Sequence, residues 1–164
     1  MGFLNGLLKK KDGKVMLGSP VTGQAVLLSA VSDPTFAEGI LGKGAAVIPA
    51  GNQIVAPADG TVDMIFPTGH AFTMTTTDGV EVLTHIGIDT VKLEGKFFTK
   101  HVADGAKVKK GDLIITADFD EIKKAGFDTV IPVIVCNTDA FKDVVLTAEG
   151  EVSQSDDILE IMKE

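Results

Sequence analysis

The stretch from Thr68 to Val91, TGHAFTMTTTDGVEVLTHIGIDTV, carries two of the chain's three histidines, His70 and His85, on either side of an Asp-Gly pair. Two neighbouring imidazoles admit three uses. Their neutral nitrogens can ligate a metal. One ring can accept a phosphoryl group while the other holds its oxygens. Or both rings can be ordinary polar side chains on a half-exposed sheet. The residues two positions away favour the second use. Gly87 follows His85 by two and offers a backbone carbonyl to its Nδ1–H, which fixes the tautomer and leaves Nε2 as the nucleophile. Thr68 precedes His70 by two and offers a hydroxyl on the same face of the same strand. No P-loop or glycine-rich nucleotide cradle is present, so the expected phosphoryl donor is another phosphoprotein rather than a nucleotide.

The two histidines must be brought together by the segment between them. Asp78-Gly79 signals a β-hairpin with a two-residue type I′ loop, which requires positive φ at both central residues. Thr77 then opposes Val80, and Phe72 opposes His85. In that register His70 and His85 are diagonal neighbours on one face, with Cα atoms about 7–8 Å apart. A three-residue loop would put them on opposite faces, because side chains alternate along a strand.

From Lys14 onward the chain reads as short apolar or alternating runs cut by Gly, Pro and Asp: GQAVLLSAV, GAAVIPAG, NQIVAP, GTVDMIF, HAFTMTTT, VEVLTHI, DLIITAD and TVIPVIV. The pattern predicts an all-β fold, an antiparallel β-sandwich, with a few short helices over PTFAEGILG, DFDEIKKAG and TDAFKDVV. SPVTGQAV and APADGTVD form a weak repeat with Gly at a turn before an outgoing strand, and DGAKVKKGDLI sets two turn glycines around a short Lys-rich strand. Such turn-and-return units resemble barrel-sandwich hybrid folds. Residues 14–164 read as a single domain, preceded by a flexible segment, 1–13. Within that segment Phe3, Leu4, Leu7 and Leu8 recur at helical spacing before Lys9, Lys10 and Lys11. Two turns of helix are marginal alone, so a loose tail is preferred to a lipid-touching helix.

The composition excludes several classes. With a net charge of −8 and no Arg among fifteen basic residues, nucleic acid is not an expected partner. No apolar run approaches the roughly 20 residues of a membrane span. The lone cysteine, Cys136, cannot form an internal disulfide and reads as a buried structural thiol in a reducing compartment. The expected location is the cytoplasm. His101, in TKHVADG, reads as a surface or structural histidine.

GNQIVAPADGTVDMIFPTGHAF, GVEVLTHIGIDTVKLEGKFF and VKKGDLI resemble, in that order, the glucose-type enzyme IIA family of the bacterial sugar phosphotransferase system, and DPTFAEGILGKGAAVIP resembles the stretch before its active-site hairpin. The resemblance runs from about Gly18 to the C-terminus. It implies a phosphocarrier that accepts a phosphoryl group on His85 Nε2 from the small carrier HPr. The group then passes to a cysteine on the IIB domain of a sugar permease, with no cofactor and no intrinsic metal. His70 is similar to the family's second histidine, which stabilises the phosphate. Thr68 matches the threonine that bonds it, and Gly87 supplies the carbonyl for His85. Asp33 and Asp89 match acidic rim positions, and Phe36, Ile40, Leu41, Phe66 and Leu83 match an apolar apron for partners that also excludes water. Some members regulate other proteins, and some touch membrane through a segment like residues 1–11. Lys43, Leu83, Pro34 and Thr35 depart from the family's best-known members, which bears on partner preference more than on chemistry.

A zinc hydrolase of the lysostaphin-like β-sandwich class is the alternative. Zn²⁺ normally takes three protein ligands plus an open position, and the His-x-His pair of that class is missing. A biotinyl or lipoyl carrier would need a Lys at the hairpin tip, where Asp78-Gly79 stands instead.

Overall fold

Residues 13–164 are described by a computed structural model, and they form fourteen strands and two short α-helices. The expectations for residues 1–12, including the apolar set from Phe3 to Leu8 and the three lysines, lie outside the described residues. The strands are β1 (Lys14–Gly18), β2 (Gly23–Leu27), β3 (Lys43–Pro49), β4 (Gln53–Val55), β5 (Gly60–Ile65), β6 (Ala71–Thr76) and β7 (Glu81–His85). They continue with β8 (Phe98–Lys100), β9 (Lys107–Val108), β10 (Leu113–Ala117), β11 (Ile131–Val135), β12 (Asp143–Leu146), β13 (Gly150–Val152) and β14 (Asp157–Met162). Three antiparallel sheets result, ordered β1-β14-β12, β4-β10-β8 and β13-β2-β3-β11-β7-β6-β5-β9; none closes into a barrel.

The apolar runs become strands because each has a face to bury. Strand β11 is buried along its whole length. Ile131, Val133 and Val135 enter the main core with Phe72, Met74 and Val82. Ile134 points the other way, into a smaller cluster with Leu28, Val31, Phe36, Ala46, Ile88 and Val130. That second cluster underlies the histidines. Pro132 has no N–H to give, and the ladder from β11 to β7 begins only at Val133, so pairing ends beside His85.

The weak repeat has a packing cause. Gly23 and Gly60 open β2 and β5 against neighbouring backbone, where a Cβ would stand 2.1 Å from the Ile48 carbonyl oxygen and 2.3 Å from that of Thr75. Helix α1 (Pro34–Ala37) starts where Asp33 accepts a hydrogen bond from the Thr35 N–H with Pro34 in the first position, and α2 (Phe119–Lys124) starts where Asp118 accepts the Glu121 N–H at 3.2 Å. Asp and leading Pro are standard N-terminal signals. Pro34 and Thr35, departures from the best-known family members, thus form the first turn of α1.

Three expectations are corrected. TDAFKDVV is helical only as a 3-10 turn, Thr138–Ala140; Val144 and Val145 instead pair with Ile161 and Glu160 in a strand, as β-branched residues tend to. Cys136 is exposed, one residue past the end of β11, with its N–H donated to the Glu81 carbonyl at 2.8 Å. Partial desolvation and the Glu81 carboxylate raise its pKa against a backbone hydrogen bond at Leu83, which makes it a poor thiolate. Finally, the hairpin loop has three residues. Thr75 pairs with Glu81, the Gly79 N–H reaches the Thr76 carbonyl at 2.9 Å, and the Thr76 N–H reaches that of Val80 at 2.9 Å. Gly79 alone has positive φ, +84°, so the loop is a type I turn closed by a left-handed glycine.

Candidate functional site

In that register Ala71, not Phe72, opposes His85. Strict alternation would separate the two histidines across the sheet. They meet nonetheless, because β6 begins at Ala71 and alternation does not bind His70. Its carbonyl accepts the Ile86 N–H at 2.7 Å, and Gly69, at φ +75°, turns the chain just before it. The imidazole centroids lie 5.1 Å apart at 78°.

Two phenyl rings extend the pair into a row. Phe36, from α1, lies 5.0 Å from His85, and Phe66, just past β5, lies edge-on 5.3 Å from His70. The His85 Nδ1–H is donated to the Gly87 carbonyl at 2.7 Å. Thr68 Oγ1 pairs with His70 Nδ1. Both partners stand two residues from their histidines, but Thr68 lies in the turn before β6 and not on one strand with His70 as expected; the left-handed Gly69 between them brings its hydroxyl to the ring. Leu83 is half-buried on β7, two residues before His85, and packs on the smaller cluster. Asp33 and Asp89 act on His85 through their charge. Ile40 and Leu41 lie between α1 and β3 and are 69% and 41% exposed. Sequence reading passes over Val91, 49% exposed two residues beyond Asp89; a lone apolar residue in DTVKL carries no periodic signal. Lys43 forms an exposed ion pair with Asp143 at 3.2 Å, and exposed His101 pairs through Nε2 with Thr116 Oγ1 at 2.7 Å.

Both imidazoles are biased toward neutrality. His70 is 4% exposed. Burial first, and the charge of a protonated His85 second, lower its pKa to about 4. Burial also lowers that of His85, against opposing pulls from the Gly87 carbonyl, Asp33 and Asp89. At neutral pH the site therefore presents neutral rings, the form that has a lone pair to give. Among the described residues no group of three or more His, Cys, Asp or Glu is placed to hold a metal, and no helix is long and apolar enough to cross a membrane.

Residues 15–141 match the family described as phosphoenolpyruvate-dependent sugar phosphotransferase system, EIIA 1. The chain belongs to that family. Relatives of the EIIA family include the glucose-specific EIIA component of Oceanobacillus iheyensis, 37% identical over 157 residues, covering 94% of this chain and 95% of that protein. The glucose-specific EIICBA component of Streptococcus pneumoniae is 51% identical over 143 residues, covering 87% of this chain but 20% of that protein. The chain spans between 20% and 24% of the length of the first four curated relatives it matches. The solved structure of glucose permease IIA from Mycoplasma capricolum superposes with a TM-score of 0.84 at 35% identity, covering 90% of this chain and 95% of that one. By its description, that family is the EIIA part of a phosphoenolpyruvate-dependent sugar phosphotransferase system.

Proposed function

We propose that this chain is a phosphohistidine carrier of the cytoplasm: His85 takes a phosphoryl group from the phosphohistidine of HPr and passes it to a cysteine on the IIB domain of a sugar permease. The observation that carries the reading is the His85 Nδ1 bond to the Gly87 carbonyl, which commits the ring's proton and leaves the Nε2 lone pair as nucleophile. Nε2 attacks phosphorus as the donor's N–P bond breaks. In the onward step a cysteine thiolate attacks the same phosphorus and His85 leaves as the neutral imidazole. Thr68 donates its hydroxyl to His70 Nδ1, which puts the His70 proton on Nε2, where it is offered to a phosphoryl oxygen.

Phe36, Phe66 and Leu83 wall the rings from water, which slows hydrolysis of the phosphohistidine. Exposed Ile40, Leu41 and Val91, with Asp33 and Asp89 at the rim, supply a docking face for apolar and basic partner groups. Relatives named EIICBA and EIIBCA hold the A and B parts in one polypeptide, which supports a IIB acceptor.

The test is intact-mass measurement after incubation with phosphoenolpyruvate, enzyme I and HPr. Wild type should gain one acid-labile phosphate, His85→Ala none, and His70→Ala one that it cannot pass on to IIB. No gain on wild type, with HPr shown to be phosphorylated, would sink the reading.

A further inference from the structure

The carbonyl that orients His85 belongs to a short strap, Ile86 to Asp89, between the end of β7 and the 3-10 turn Thr90–Leu93. Its two central peptide units are held at both ends. In the Gly87–Ile88 unit, the Ile88 N–H is donated to the Asp128 carbonyl at 2.9 Å, while the Gly87 carbonyl faces His85. In the Ile86–Gly87 unit, the Gly87 N–H is donated to the Val130 carbonyl at 3.1 Å, and the Ile86 carbonyl accepts the Thr90 hydroxyl at 2.6 Å. Thr90 is fully buried. Its hydroxyl is the one side-chain donor in this set, and it reaches back over four residues. Asp89, left-handed at φ +60°, makes that return possible. Thr90 also fills the space beside Gly87, where a Cβ would stand 2.5 Å from its Cγ2.

We infer that Thr90 is a positioning residue for His85, acting through the Ile86–Gly87 backbone to keep the Gly87 carbonyl on Nδ1. Its hydroxyl is spent on the Ile86 carbonyl, and the side chain is shut off from the surface that a substrate would approach. Without its hydroxyl the Ile86 carbonyl is left buried and unpaired. The peptide then turns to find a partner, the Gly87 carbonyl swings with it, and His85 loses the bond that selects its tautomer. Hydrogen bonds in such a chain strengthen one another, so the far end responds to loss of the near one. The effect on rate rests on the phosphocarrier reading; the effect on tautomer does not.

The experiment uses the full chain with Thr90→Val, which keeps the shape, Thr90→Ala, which adds no bulk, and Thr90→Ser, which restores the donor. Long-range ¹H–¹⁵N spectra of the imidazoles at pH 7.5 report the tautomer of unphosphorylated His85, and single-turnover transfer from phospho-HPr reports the rate. In Thr90→Val and Thr90→Ala, His85 should shift from the Nδ1–H form to a mixture. Transfer should slow about ten-fold, at an unchanged half-saturating HPr concentration, as loss of one oriented hydrogen bond implies. Thr90→Ser should behave as wild type. Retention of the wild-type tautomer and rate in Thr90→Val and Thr90→Ala overturns the inference, as does equal slowing in Thr90→Ser. If wild type accepts no phosphate, the carrier reading fails, and the spectra alone still decide the positioning role.

Discussion

For a phosphohistidine carrier, neutrality of the imidazoles matters more than their number. The lowered pKa of His85 means that phosphoryl acceptance should lose half its rate at a pH below 6.5, where a free imidazole is half protonated. A rate that halves by pH 6.5 would show an unshifted ring. His70, lowered to about 4, links the same burial to stability. Between about 6.5 and 4 the unfolded chain holds a proton that the folded one does not, so folding weakens as pH falls through that window. The loss attributable to His70 approaches about 3 kcal/mol. Urea midpoints from pH 7.5 to 4, compared with His70→Gln, should show a shallower acid decline in the variant. The carboxylates pull the other way on His85. Asp33→Asn and Asp89→Asn should each lower its pKa further in an NMR titration, because each removes a negative charge that favours the imidazolium. An upward shift would show that the carboxylates act on the ring by some route other than charge.

Two turn glycines separate conformational from steric cost at the scale of elements. At Gly79, φ is +84° and nothing lies within 4 Å of an added Cβ, so Gly79→Ala should cost about 1 kcal/mol from the left-handed backbone alone. At Gly60 an added methyl meets the Thr75 carbonyl, and Gly60→Ala should cost more than about 2 kcal/mol; urea unfolding measures both. These turns also show what was legible beforehand. Apolar alternation located strands β2 to β7, β10 and β11, and the spacing of two put Gly87 by His85 because that contact is local. The hairpin register was not legible, since Asp-Gly serves a two-residue loop and a type I turn with a left-handed glycine equally well. The meeting of His70 and His85 depends instead on where β6 begins, just after His70, whose carbonyl accepts the Ile86 N–H across the sheet. Cys136 was misplaced for a similar reason: an apolar run does not say at which residue its pairing partners end.

Over the whole molecule, the proposed carrier role requires docking twice, on a donor and on an acceptor, both at the exposed end of His85. Buried and exposed apolar residues near the histidines should therefore separate into two classes. Phe36 is buried in the smaller core cluster and packs on His85. Phe36→Ala should cost about 3 kcal/mol of stability and slow transfer at saturating HPr. Ile40 is exposed, and truncating it opens no cavity. Ile40→Ser should leave unfolding within about 0.5 kcal/mol of wild type yet raise the half-saturating concentration of phospho-HPr several-fold, with the saturated rate unchanged. The same loss should appear with the IIB acceptor if one face serves both partners. Should Ile40→Ser weaken HPr alone, the two partners use different halves of the face. Should it weaken neither, docking lies away from the segment between α1 and β3, and the exposure of Ile40 and Leu41 would have no part in recognition.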